Sequence, residues 1–226
     1  MRTRIKICGL TREQDVEAAV EAGVDALGFV FYNQSPRSVS ALRARELIRQ
    51  VPAWVCTVGL FVNASRSEML AVADQAGISH LQLHGDESPQ DCMGLGRPVI
   101  KALRVKTGLA GPAVAEEISR LSGLMRAYSD CQALLFDSES VGFGGSGQAF
   151  DWSVLEASLA QFPLRSATWV LSGGLESGSV GSAIRRLSPP CVDVSSGVES
   201  LKDGKPLRGI KDAQRIAQFV DAVRAA

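Results

Sequence analysis

Residues 168–197 read TWVLSGGLESGSVGSAIRRLSPPCVDVSSG. Thr168-Trp169-Val170-Leu171 is a short apolar, β-branched run that predicts a strand. Ser172-Gly173-Gly174 breaks it. From Ser177 or Gly178 a helical pattern runs through Ile184 and Leu187. Val192-Asp193-Val194 is a second strand, closed by Ser195-Ser196-Gly197. Strand, small-residue turn, helix and strand make one βα repeat and the start of the next. The strands are nearly continuous apolar runs rather than alternations, which suits burial on both faces of a parallel sheet.

The same unit recurs upstream. Strand candidates start at Ile5, Ala26, Val55, Leu81, Val99 and Ala133. Between them lie helical patterns. Thr11-x-x-Gln14 reads as a capping box with Gly23 as the stop, and Ser65-x-x-Glu68 as another with Gly77 as the stop. Ser40 precedes Leu42 and Leu47, Ser88-Pro89 opens a short helix, and Pro112 opens a longer one reaching about Arg126. Asp151 caps a helix over 152–159, and Ile210 to Val223 forms the last apolar stripe. Eight strands spaced about 27 residues apart predict one (β/α)₈ barrel over residues 1–226, an α/β fold. A doubly wound open sheet is the alternative; it usually carries fewer strands and a glycine turn directly after the first.

Composition limits the partners. Lys and Arg number 24 and Asp and Glu 24, so no net charge favours nucleic acid or an anionic membrane surface. At 46% apolar residues the chain can bury a real core. No apolar run reaches a membrane span, and the N-terminal stretch ends too early at Thr11-Arg12-Glu13 for a signal peptide. Cys8, Cys56, Cys92, Cys131 and Cys191 are scattered and odd in number, without metal-ligand spacing. The expectation is free thiols in a reducing, cytoplasmic compartment and no metal. A barrel that closes its own core predicts a monomer, with a homodimer as the alternative.

A barrel carries its active site at the C-terminal ends of its strands. Those ends here hold Cys8, Arg37, Gln82, His84, Asp137, Ser172, Asp193, Ser195 and Ser196. Gly173-Gly174 and Ser195-Ser196-Gly197 follow strands seven and eight, where barrels often bind phosphate on main-chain N–H groups. Either segment alone is an ordinary tight turn; the pair predicts an anion site. Gly142 to Gly147 spells G-x-G-x-x-G, but Ser138 to Val141 separates it from the strand and no helix opens behind it. It predicts an active-site loop, not a dinucleotide site. Cys8, beside a helix starting at Thr11, is expected to ionise easily. Asp137, between an apolar run and the glycine loop, suits a general acid if partly shielded from water. Lys6 lies on the face of Cys8 and needs an anionic partner, for which Asp193 is the candidate.

Lys6-Ile7-Cys8-Gly9-Leu10-Thr11, Gly28-Phe29-Val30-Phe31, Ser35-Pro36-Arg37 and Gln82-Leu83-His84-Gly85 occur in that order. Gly144-Gly145-Ser146-Gly147, Phe150-Asp151-Trp152, Leu171-Ser172-Gly173-Gly174-Leu175 and Asp193 to Glu199 follow. Together they resemble the phosphoribosylanthranilate isomerase family, over nearly the whole chain. The resemblance implies a barrel that performs an Amadori rearrangement in tryptophan biosynthesis, acting on a phosphorylated small molecule without metal or organic cofactor. It implies Cys8 as general base, Asp137 as general acid, and Arg37 as the holder of the anthranilate carboxylate. Gly173, Gly174, Ser195, Ser196 and Gly197 would bind phosphate, and Gln82, His84, Gly144 and Gly145 would contact substrate. Many members carry Lys-Thr where this chain has Gln148-Ala149, which removes a positive charge beside the loop. A phosphate-barrel isomerase of another pathway and a non-catalytic barrel are the competing readings. Paired aspartates, one on strand one, would mark a histidine-pathway isomerase, and Cys8 stands at that place.

Overall fold

The computed structural model describes residues 2–139, 150–162, 164 and 168–226. Eight parallel strands close a barrel in sequence order: β1 (Arg4–Cys8), β2 (Ala26–Val30), β3 (Cys56–Phe61), β4 (His80–Leu83), β5 (Val99–Val105), β6 (Ala133–Ser138), β7 (Thr168–Leu171) and β8 (Cys191–Val194). The seam joins β1 to β8, with Lys6 opposite Asp193. Around the barrel lie α1 (Glu13–Glu21), α2 (Ala41–Ile48), α3 (Arg66–Ala76), α4 (Pro112–Ala127), α5 (Trp152–Gln161), α6 (Ser177–Leu187) and α7 (Ala213–Arg224).

Side chains alternate between the barrel interior and the helix layer. Leu135, Val170, Ala102 and Ala133 form a small interior cluster, whereas Leu134, Phe136, Leu171 and Val192 join the large core under the helices. The apolar runs of the sequence exist because both faces need filling. On α7, Ile216, Phe219, Val220 and Val223 are buried at i, i+3, i+4 and i+7. Each such side chain contributes about 1.5–3 kcal/mol by leaving water.

Several local expectations hold. Ser40, Ser65 and Asp151 cap their helices through side-chain oxygens, and Gly77 ends α3 at φ +80°. Asp212 caps α7 in the same way, and Ile210, read as part of that helix, lies in the strand before it. Three others differ. Helix α1 starts at Glu13, and its cap residue Arg12 makes no side-chain cap bond. The Thr11 hydroxyl donates to the Gly209 carbonyl instead, so a distant segment outcompetes the capping box. After β4 there is no α-helix, only a 3₁₀ turn over Gln90–Cys92. Two further strands, β9 (Glu199–Lys202) and β10 (Lys205–Lys211), form an antiparallel hairpin between β8 and α7. Its turn is Asp203-Gly204, both at positive φ, a pairing that favours tight hairpins.

Candidate active site

Interior alternation carries polar side chains to the barrel mouth. Asp137 follows Leu135 by two residues, Ser172 follows Val170, and Asp193 and Ser195 follow Cys191. Gly28 lies beside Cys8 in register, and a methyl group on Gly28 would stand 2.8 Å from the Cys8 sulfur. The absent side chain is what gives the thiol its place. Cys8, Arg37, Gln82, His84, Asp137, Ser172, Gly173, Gly174, Asp193, Ser195 and Ser196 all line one cavity. It encloses about 690 Å³, open solvent included, and Tyr32, Ser35, Leu60 and Leu175 complete its wall.

Cys8 is buried, and burial is the largest influence on it, pushing its thiol above the ordinary range. Lys6 and Lys211 pull it down and Asp193 pushes it up, with a net rise. The expected easy ionisation is therefore corrected for the unliganded protein. Helix α1 begins five residues beyond the sulfur, and desolvation outweighs the nearby cations. Lys6 does pair with Asp193, its Nζ 2.8 Å from Oδ1. Burial works against the Lys6 charge, yet Asp193 and Cys8 hold its pKa above the usual lysine value.

Asp137 faces His84. The Asp137 Oδ2 lies 3.3 Å from His84 Nε2, and Oδ1 accepts the Ser138 amide at 2.9 Å. Gln82 Nε2 lies 3.0 Å from His84 Nδ1. His84 thus stands between Gln82 and Asp137, one ring nitrogen toward each. The buried Gln82 Oε1 has no hydrogen-bond partner among the described residues.

Gly173 and Gly174 adopt φ +84° and +65°, which disfavours any other residue. Their main-chain N–H groups have no acceptor among the described residues. Both lie beside Ser195 and Ser196 at the mouth, a set of donors suited to an anion. Gly197 does not line this cavity. It faces the adjoining groove with Arg208 and Arg215, and a Cβ there would stand 2.0 Å from the Leu175 carbonyl oxygen. Its part is to let the two turns touch. Gly144 and Gly145 lie outside the described residues.

Arg37 reaches the mouth with one edge occupied. Its Nε and Nη2 donate to the two carboxylate oxygens of Glu199 at 2.7 and 2.8 Å. Lys211 Nζ lies 3.3 Å from the same carboxylate and donates to Ser195. Neither Glu199 nor Lys211 was expected in the site. Glu199 stands in the quoted DVSSGVE run, but its role depends on the hairpin. The Asp203-Gly204 turn is the sequence signal that would have revealed it.

Residues 5–222 match the family described as N-(5'phosphoribosyl)anthranilate (PRA) isomerase. The N-(5'-phosphoribosyl)anthranilate isomerase of Methylibium petroleiphilum is 47% identical over 226 residues, 100% of this chain and 96% of that one. The crystal structure of phosphoribosyl anthranilate isomerase from Thermotoga maritima superposes with a TM-score of 0.82 at 35% identity, covering 99% of this chain and 100% of that one. A similar structure holds reduced 1-(o-carboxyphenylamino)-1-deoxyribulose 5-phosphate, with TM-score 0.79, 33% identity, and 99% and 100% coverage. With the match running through every strand of the barrel, the chain belongs to the N-(5'-phosphoribosyl)anthranilate isomerase family.

Proposed function

We propose that Cys8 and Asp137 are the base and the acid of the family's Amadori rearrangement in this chain. The activity is that of an isomerase of tryptophan biosynthesis, converting N-(5'-phosphoribosyl)anthranilate to 1-(2-carboxyphenylamino)-1-deoxyribulose 5-phosphate. The observation that carries the assignment is the placing of a thiol and a carboxylate on the wall of one cavity, between an arginine and an anion cradle.

Ring opening needs a proton on the ribose ring oxygen. Asp137, acting from its carboxylic acid form, gives that proton as the C1–O bond breaks and is left as the carboxylate beside His84 Nε2. The nitrogen lone pair then forms C1=N. Cys8 as thiolate removes the C2 proton, and the electron pair flows back to nitrogen to give the enaminol. Ketonisation passes the Cys8 proton to C1 and the C2 hydroxyl proton to Asp137, which leaves the carbonyl at C2 and restores both groups. Cys8 must lose its own proton first, and Lys6 and Lys211 are the neighbours that favour the anion.

Arg37 Nη1 takes the anthranilate carboxylate. Gly173, Gly174, Ser195 and Ser196 take the phosphate, with Gly197 shaping the turn. Gln82 Oε1, with its unused acceptor, takes a substrate hydroxyl beside His84. Gly144 and Gly145 are read as substrate contacts. The reading includes no metal or organic cofactor, one barrel domain, a monomer and a cytoplasmic setting. Among the described residues no helix is long and apolar enough to cross a membrane.

The test is turnover of the fluorescent anthranilate substrate by Cys8→Ser and Asp137→Asn. Each should lose at least three orders of magnitude in kcat while a reduced product analogue still binds. Near-normal kcat in either variant removes that residue from the chemistry.

A further inference from the structure

Glu199 is fully buried beside the mouth, yet no step of the rearrangement uses it. Its Oε1 receives Arg37 Nε at 2.7 Å, the Gly209 amide at 2.8 Å and Lys211 Nζ at 3.3 Å, while Oε2 receives Arg37 Nη2 at 2.8 Å. Four donors from its own chain hold this carboxylate in place. The arginine is equally constrained. A Cβ on Gly9 would stand 2.6 Å from Arg37 Cδ, so the arginine stem lies against the first βα turn. Among the described residues Arg37 Nη1 makes no hydrogen bond. Two buried cations meet one buried anion here, and the surplus positive charge suits an anionic ligand. Burial pulls Lys211 down to about 8, with Glu199 opposing and Arg37 adding to the fall.

We infer that Glu199 is a positioning residue that sets recognition of the substrate's ring carboxylate. By holding the Nε–Nη2 edge of Arg37, it leaves the Nη1–Nη2 edge to the ligand and fixes where that edge stands. Arg37 then cannot turn its Nε–Nη2 edge toward whatever anion enters. Lys211, bonded to both Glu199 and Ser195, ties this support to the anion cradle across the mouth. The inference rests on the reading of Arg37 as the carboxylate holder. It adds that selectivity for the carboxylate comes from a residue that never touches it.

The experiment measures calorimetric dissociation constants at pH 7.5 for two ligands: the reduced product analogue and the same molecule without its ring carboxylate. The readout is the ratio of the two constants, which a general loss of fold would not move selectively. Arg37→Ala should collapse the ratio. Glu199→Gln should lower it at least tenfold, and the double variant should go no lower than Arg37→Ala alone. If Glu199→Gln is too unstable to purify, Glu199→Gln with Lys211→Met replaces it, because no unpaired lysine is then left buried. A ratio unchanged by Glu199→Gln, or both ligands weakened equally, overturns the inference while the Arg37 reading stands. So does a double variant that falls well below Arg37→Ala. A ratio unchanged by Arg37→Ala overturns the carboxylate assignment and the inference together.

Discussion

Gly28→Ala adds one methyl group where the structure has no room for it. The new Cβ would stand 2.8 Å from the Cys8 sulfur, 3.1 Å from its Cα and 3.2 Å from its Cβ. Non-bonded carbon atoms sit best at roughly 3.5–4.0 Å. The crowded α-carbon is main chain in a paired strand, so rotating the thiol cannot relieve the clash. Strand β1 and the sulfur must move by roughly 0.5–1 Å, because the methyl's own strand is held on both sides by β1 and β3. Overpacking of this kind costs about 1–3 kcal/mol. For a domain of this size that lowers Tm by about 2–12 °C. A misplacement near 1 Å costs about a hundredfold in rate. The Gly173–Gly174 turn lies on another segment, so the larger loss should fall on kcat rather than on KM. Gly123→Ala in α4 is the control, since nothing lies within 4 Å of its Cβ position. It should raise stability by about 0.5–1 kcal/mol and leave kcat alone. Steady-state kinetics with calorimetric melting measures all of this. A Gly28→Ala enzyme with kcat within threefold of wild type would refute the claim that the strand pair places the thiol.

The rate should also respond to pH through Cys8. In the proposed role Cys8 acts as thiolate, and burial pushes its thiol above the usual ~8.5, so kcat/KM should climb with pH into the alkaline range. Lys6→Met removes a cation that favours the thiolate, and should move that limb to higher pH; a limb that stays in place or moves down would deny Lys6 its influence. Gly173→Ala meets the Ser138 amide at 2.7 Å with φ +84°, and should cut both kcat and phosphate-ligand affinity at least tenfold in the same kinetic and calorimetric assays. An already open-chain substrate analogue should bypass Asp137 but not Cys8, so equal losses in Asp137→Asn and Cys8→Ser on it would contradict their division of labour.

The barrel was readable because each strand is buried on two faces and so appears as a compact apolar run. All eight runs lie on observed strands, within a residue or two at the ends. Cys8 and Asp137 were legible for a related reason: a polar side chain closing such a run has nowhere to go but the mouth. Lys6 announced its own partner, since an interior lysine must be paired and Asp193 was the carboxylate at the matching strand end. What could not be read depended on interactions between distant segments. The Thr11 hydroxyl prefers the Gly209 carbonyl, 198 residues away, to the local amide that a capping box would offer. Glu199 matters only because Gly209 and Lys211 fold back onto it, and the charged β9–β10 segment carries no apolar period to advertise a strand. The ionisation of Cys8 went the other way from expectation because the local cue was a helix start. The governing fact is its depth in the barrel.

The closing seam of the barrel has a consequence for how such a chain is made. The Lys6–Asp193 pair joins residues 187 positions apart, and Lys211 reaches back to the Asp15 carboxylate through its amide, 196 positions away. A ribosome delivers Cys8 long before Asp193, Glu199 and Lys211. Through most of synthesis the nascent thiol therefore has neither of its lysines fixed beside it, and the arginine of the second loop has no glutamate to hold. The site is complete only once β8 lies on β1 and the β9–β10 hairpin has folded back over Arg37. Until then the growing polypeptide carries the thiol without the neighbours that surround it in the folded barrel.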